Sequence, residues 1–185
     1  MRTWRLRRWC IIPLGTMDSS VARDMVQPKI RLVCDDDIEE LVQLSLLAWV
    51  PVFDSFEQIL GPTIYRSIWA DWKAGQREGI ETVCRDGEKT VWVAEVDGLA
   101  VGFVAYELNA KERTGEVLLL AVHPDYQNRG IGTELNRFAL ARMVESGMVM
   151  AKVETGGDPA HAPARRSYEK AGYTALPLVR YFIDL

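Results

Sequence analysis

Cysteine, histidine and surplus positive charge are all scarce in this 185-residue chain, and each shortage excludes something. The three cysteines, Cys10, Cys34 and Cys84, are odd in number and widely separated, with no CxxC pair and no histidine-ligand spacing nearby. Neither a disulfide framework nor a structural zinc site is built that way, so no metal is expected and the compartment reads as reducing, the cytoplasm. Lysine plus arginine number 22 against 26 aspartates plus glutamates, a net charge of -4. A non-specific nucleic-acid binder needs the opposite balance, because its affinity comes from clustered cations that release counterions. No apolar run approaches the roughly 18 residues of a membrane helix. Neither nucleic acid nor membrane is an expected partner.

The material that is present suits one domain of a globular protein, at 48% hydrophobic and 26% charged residues. Met1–Arg8 carries four arginines and leads into Trp9-Cys10-Ile11-Ile12-Pro13-Leu14-Gly15, which has the outline of a signal peptide. The apolar part is short, holds a proline and lacks a small-residue cleavage site. Residues 1–27 are therefore expected to be a disordered or mis-assigned leader, and 28–185 a single domain. The leader holds five of the basic and two of the acidic residues, so the remainder carries 17 against 24, a net charge of -7.

Periodicity sketches the elements of that domain. Lys29–Val33 alternates as a strand does. Asp36 and Glu39 form an acidic relative of a capping box before a helix that turns Ile38, Leu41, Val42, Ser45 and Trp49 to one face and should break at Pro51. Residues 55–85 read as helix in two pieces interrupted at Gly61-Pro62. Two strand-like runs flank Asp97-Gly98, a strong hairpin signal. Glu116–Val122 is nearly all apolar, as in a strand buried on both faces. An amphipathic helix follows Gly130-Ile131-Gly132, then a strand at Val149–Glu154 and a short helix at Ala164–Ala171 ended by Gly172. Two last strands are expected at about Tyr173–Leu178 and Arg180–Ile183. The class is mixed α/β with a largely antiparallel sheet.

Chemistry concentrates in Gln127-Asn128-Arg129-Gly130-Ile131-Gly132-Thr133. Glycines at a helix start let successive N–H groups face outward, where the helix dipole is positive, and Arg129 adds a cation. That combination suits a phosphate or pyrophosphate. It is not a Walker A loop, because no lysine separates Gly132 from Thr133. A dinucleotide fingerprint fits poorly too: Leu135 stands where a third glycine belongs, and the strand ends too far upstream. An NAD-dependent oxidoreductase survives only as a minor alternative.

The same residues resemble the GNAT superfamily of N-acetyltransferases, whose acetyl-CoA motif is Gln/Arg-x-x-Gly-x-Gly/Ala. A second family element, Ala-x-x-x-Tyr-Glu-Lys-x-Gly-Phe, is similar to Ala164 through Tyr173. The likeness spans roughly 28–185 and is dense from 91 to 173. It implies a mostly antiparallel mixed sheet of six to seven strands flanked by about four helices, with two strands (116–122 and 149–154) splayed into a CoA cleft. By the same resemblance acetyl-CoA is the co-substrate. Its pantetheine would run along Leu120 and Val122, and its pyrophosphate would rest on Gln127, Asn128, Arg129, Gly130, Ile131, Gly132 and Thr133.

Roles for side chains follow from that likeness. Tyr168 would donate a proton to the departing CoA thiolate, and Glu116 would accept one from the amine through water. His123 reads as a strand-end residue rather than a base. His161 stands where the family usually has a pantetheine-orienting asparagine; it could take over that hydrogen bond, act as a base, or cap the helix. The acceptor pocket would draw on Trp49, Phe53, Phe56, Tyr65, Trp69 and Trp72, with Tyr181 opposite. Asp54, Glu57 and Asp71 would favour a cationic amine. The expected partners are a small-molecule or peptide amine and, as a homodimer, a second copy of the chain. A non-catalytic acyl-CoA-binding module on the same fold is the alternative.

Overall fold

Residues 27–185 are described in this computed structural model, so the expected leader falls outside the described residues but for Gln27. Strand β1 (Lys29–Leu32) opens the fold, followed by helices α1 (Ile38–Trp69) and α2 (Trp72–Arg85). Strands β2 (Lys89–Val96), β3 (Leu99–Asn109) and β4 (Thr114–Val122) form a meander. Helix α3 (Ile131–Glu145), strand β5 (Met150–Val153) and helix α4 (Ala162–Ala171) complete it. The strands lie in the order β1-β2-β3-β4-β5, antiparallel throughout except for β4 and β5.

Local chemistry explains most boundaries. Asp97 and Gly98 both take positive φ, the geometry of a two-residue turn matched to the strand twist, and they join β2 to β3. Asp71 caps α2 by accepting from the Ala74 N–H at 3.1 Å. At the C-terminus of α4, the N–H of Tyr173 reaches back to the Tyr168 carbonyl over left-handed Gly172.

Three expectations are corrected. Helix α1 runs straight through Pro51 and kinks only at Gly61 (φ 75°, ψ 163°). The proline costs one helical hydrogen bond, to the Leu47 carbonyl, and Leu47 is exposed, so water can serve that group. The acidic pair Asp36/Glu39 does not open the helix; Asp37 is the N-cap position, and its carboxylate turns to the Arg31 guanidinium (2.7 Å) instead. Finally, the sheet has five strands among the described residues, not six or seven. Tyr173–Leu178 and Arg180–Ile183 are irregular, with Leu176, Leu178, Val179 and Ile183 exposed. Nothing there buries enough apolar surface to offset the entropy of ordering a strand, and Pro177 removes a ladder donor.

Helices cover both faces of the sheet. On one, Leu41, Val42 and Leu44 of α1 and Ile80 of α2 pack on Val91, Val93, Phe103 and Ala121. On the other, Ile131, Leu135, Ala139 and Met143 of α3 pack on Ala94, Val104, Tyr106 and Val117. Arg31 ties β1 to its surroundings through Asp37 and Glu95 (2.6 Å). The guanidinium holds the Asp37 carboxyl down at about 2.

Candidate active site

The parallel pairing of β4 with β5 extends only from Thr114 to Val117. Strand β4 then continues five residues further, to Val122, with no strand on that side. The two strands therefore fork. The N–H of His123 donates to Val101 on β3. Alternation along an antiparallel ladder then turns the main-chain groups of Leu120 and Val122 to the open edge. Gln127 already occupies one of them, donating from Nε2 to the Val122 carbonyl at 3.0 Å.

The loop from β4 into α3 closes the top of this fork. Asn128 (φ 61°) and Gly130 (φ 89°) both adopt left-handed backbone, and Gly130 is the N-cap residue of α3. The first-turn N–H groups of α3 have no helical acceptors, so this end carries partial positive charge. A Cβ on Gly132 would stand 3.5 Å from both Leu120 and Val122 and 3.9 Å from Ser167, so β4, α3 and α4 meet there. Thr133 and Ser167 bridge the two helices at 3.3 Å. Arg129 lies over the Tyr126 ring and donates to the Asp125 carbonyl (2.7 Å), which fastens the loop to itself. His123 Nδ1 accepts from the Asp125 N–H, as a strand-end residue would. The arrangement suits a diphosphate gripped by main chain.

Helix α4 carries one further group, Tyr168. Tyr168 is 8% exposed, and burial alone pushes its hydroxyl up to about 12. It meets Tyr173 edge to face, whose own buried hydroxyl has no hydrogen-bond partner among the described residues. Glu116 sits on the closed part of the fork, ion-paired with Lys152 at 2.5 Å. At the entrance to α4, His161 Nδ1 bonds Asp158 Oδ2. The other oxygen of Asp158 accepts from Ser55 on α1 (2.9 Å) and from the Ala160 N–H (3.0 Å). Asp158 and Ser55 were not singled out from the sequence; the Gly-Gly-Asp-Pro run near a helix start was the available signal.

An aromatic wall adjoins this entrance. Phe56 lies 5.8 Å from the His161 ring and stacks on Trp69 at 4.9 Å, while Phe53 stacks on Trp72 at 4.2 Å. Phe53, Trp69, Asp71, Trp72 and Gln76 line a cleft of about 290 Å³. The exposed carboxylates of Glu57 and Asp54 reinforce the effect of burial in pushing the Tyr65 hydroxyl upward. Two expected wall residues stand elsewhere. Trp49 packs on the core beneath the sheet, and Tyr181 is 89% exposed while its neighbour Phe182 meets Trp69 at 6.1 Å.

No helix among the described residues is long and apolar enough to cross a membrane. Comparison with known proteins bears on what the fork holds. The chain is similar to a mycothiol acetyltransferase of Streptomyces coelicolor, 34% identical over 82 residues, covering 44% of this chain and 26% of that protein. It is also similar to an uncharacterized N-acetyltransferase of Methanocaldococcus jannaschii, 26% identical over 161 residues, covering 84% and 65%. The chain thus spans about a quarter of the first relative and just under two thirds of the second. Among solved structures, PaiA N-acetyltransferase from Thermoplasma acidophilum in complex with coenzyme A shares the fold. The TM-score is 0.60 at 19% identity, over 79% of this chain and 89% of that one. The model of the acetyltransferase (GNAT) family matches residues 52–173, the stretch that contains the fork, the α3 entrance and α4. With fold and sequence pointing the same way, this chain belongs to the acetyltransferase (GNAT) family.

Proposed function

We propose that the chain transfers an acetyl group from acetyl-CoA to a primary amine in the cytoplasm, by direct attack of the amine on the thioester. The observation that carries this reading is the unpaired edge of β4 beneath the main-chain donors of the α3 entrance. An extended pantetheine can bond Leu120 and Val122 as a further strand would, while its diphosphate meets the N–H groups from Gln127 to Thr133. Arg129 and Gln127 serve that grip by stiffening the loop.

Tyr168 is the proton donor in this reading. Its raised pKa keeps the hydroxyl protonated throughout the neutral range. The leaving thiolate, ordinarily near ~8.5 by analogy with cysteine, is also pushed upward when it forms in an apolar cleft, so the two groups shift in the same direction. Glu116 can take the amine's proton through water once its ion pair with Lys152 opens. The aromatic wall with Asp71 favours a cationic acceptor that carries an apolar or cyclic part.

Thiol release from acetyl-CoA, followed against spermidine, kanamycin, tyramine and an alanine-initiated peptide, tests the reading. Turnover with at least one amine is expected. Tyr168→Phe should lower kcat about 100-fold, the lower range for a lost general acid, with CoA affinity within about twofold. An unaltered kcat removes Tyr168 from the mechanism, and CoA binding without any turnover favours a non-catalytic acyl-CoA-binding module.

A further inference from the structure

The entrance of α4 is built more elaborately than a helix cap requires. Asp158 already satisfies the local backbone by accepting from the Ala160 N–H, yet it also binds His161 Nδ1 and receives a hydroxyl from Ser55, 103 residues away on α1. Its side chain is 6% exposed and that of His161 17%. Glycine is required at 156, where a Cβ would collide with Asp158 Oδ2 and His161 Nδ1. Arg165 braces the same loop by donating to the carbonyls of Gly156 (2.5 Å) and Asp158 (2.8 Å). A carboxylate holding one imidazole nitrogen fixes the ring and its tautomer, which leaves Nε2 as the nitrogen with a lone pair.

That ring sits where the two halves of the site join. Phe56 of the acceptor-side wall lies against it. Tyr168 follows seven residues later on α4, of which His161 is the N-cap residue, so two turns, roughly 10.5 Å of axial rise, bring it back to the same face. We infer that His161, held by Asp158, is the base that takes the proton from the acceptor amine, and that Asp158 and Ser55 are positioning residues. The inference rests on the acetyl-transfer reading above and assigns its proton acceptor to His161 in place of Glu116.

The protons balance. The ammonium gives one proton to Nε2, forming an imidazolium paired with Asp158. The free amine attacks the thioester carbonyl carbon, a C–N bond forms and the C–S bond breaks. The thiolate takes the Tyr168 proton, the new amide nitrogen returns a proton to the tyrosinate through water, and the imidazolium releases its own to solvent. The groups facing His161 favour this cycle. Asp158 is the carboxylate in contact; burial pushes it up, but hydrogen bonds from His161, Ser55 and the Ala160 N–H outweigh that and hold it below the usual range. Arg165 is engaged with carbonyls, and α1 adds the uncharged Phe56 and Ser55, flanked in sequence by Asp54 and Glu57.

Two measurements test the assignment. The chain has only two histidines, so labelled-histidine NMR resolves both, with His123→Gln giving the assignment. Neutral His161 should carry its proton on Nδ1, and the Nε2–H tautomer would overturn the proposal. In the amine assay, His161→Gln should lower kcat at least 30-fold at pH 7 with CoA affinity within twofold. Its rate should then climb about tenfold per pH unit, as the amine loses its proton in solution instead. Asp158→Asn should shift the tautomer and lower kcat while leaving KM for acetyl-CoA in place, and His161→Asn repeats the test should the glutamine variant fail to fold. A wild-type kcat and pH profile in His161→Gln contradicts the base role while acetyl transfer stands. A weakened CoA affinity at unchanged kcat makes His161 a cofactor ligand and contradicts it too. Absence of transfer by the unaltered chain to all four amines overturns the underlying reading and the base with it.

Discussion

Helices α3 and α4 meet at Thr133 and Ser167, and their two entrances are made of different material. At α3 the working surface is main chain: left-handed Asn128 and Gly130 present N–H groups, while the side chains of Gln127 and Arg129 bind their own loop. At α4 it is side chain: Asp158, His161, Ser55 and Arg165 interlock. Main-chain donors hold a fixed charge pattern that no titration alters, which suits a diphosphate that must be gripped the same way in every cycle. An imidazole can take up and release a proton, and a carboxylate beside it can stabilise the imidazolium, which suits a proton in transit. On the proposed reading, one end holds and the other reacts.

The sharpest way to break this contrast is a matched pair of glycine substitutions. Gly156→Ala drives a methyl into the Asp158–His161 pair, so the ring must move. We expect kcat to fall about 30-fold or more, in the range of a lost general base, with a smaller change in acetyl-CoA KM. Gly130→Ala meets no neighbouring atom but forces a side chain into left-handed backbone at φ 89°. That strain of roughly 1–2 kcal/mol should appear as a 5- to 30-fold weaker grip on CoA, with kcat moved less. Both variants acting on the same parameter would dissolve the distinction.

A third substitution provides a reference outside both entrances. Asp37→Asn removes one of the two carboxylate partners of Arg31, leaving Glu95. The Asp37 carboxyl titrates at about 2 in the fold against 3.8 ordinarily. A lowered folded-state pKa contributes stability above the unfolded value that is lost as pH falls through the folded one. Denaturant titration should therefore show a loss of about 2 kcal/mol at pH 7, shrinking between about pH 4 and pH 2, with kinetics at saturation unmoved. A loss equal at pH 7 and pH 2 would contradict the ion-pair account.

The two entrances were also unequally legible in the sequence. The α3 side is local: a strand of apolar residues, a loop and two glycines before an amphipathic face all lie within 116–143, and β4, Gly130 and α3 appear where that pattern puts them. The Asp97-Gly98 hairpin and the Gly172 cap were legible for the same reason. The α4 side depends on Ser55 reaching Asp158 across 103 residues, and no spacing rule announces such a contact. Tertiary context also overrode local signals. Pro51 was tolerated on an exposed helix face, and the C-terminal residues kept strand-like composition without partners to pair with. Trp49 and Tyr181 were read by residue type, but Trp49 packs against the core and Phe182, not Tyr181, meets Trp69.

The account turns on what occupies the fork between β4 and β5, and a thermal melt with two ligands tests it most directly. Coenzyme A at ~100 times its Kd should add roughly 2.7 kcal/mol to the stability of the chain, while NAD at the same concentration adds nothing measurable. Stabilisation by NAD with none by coenzyme A would contradict it.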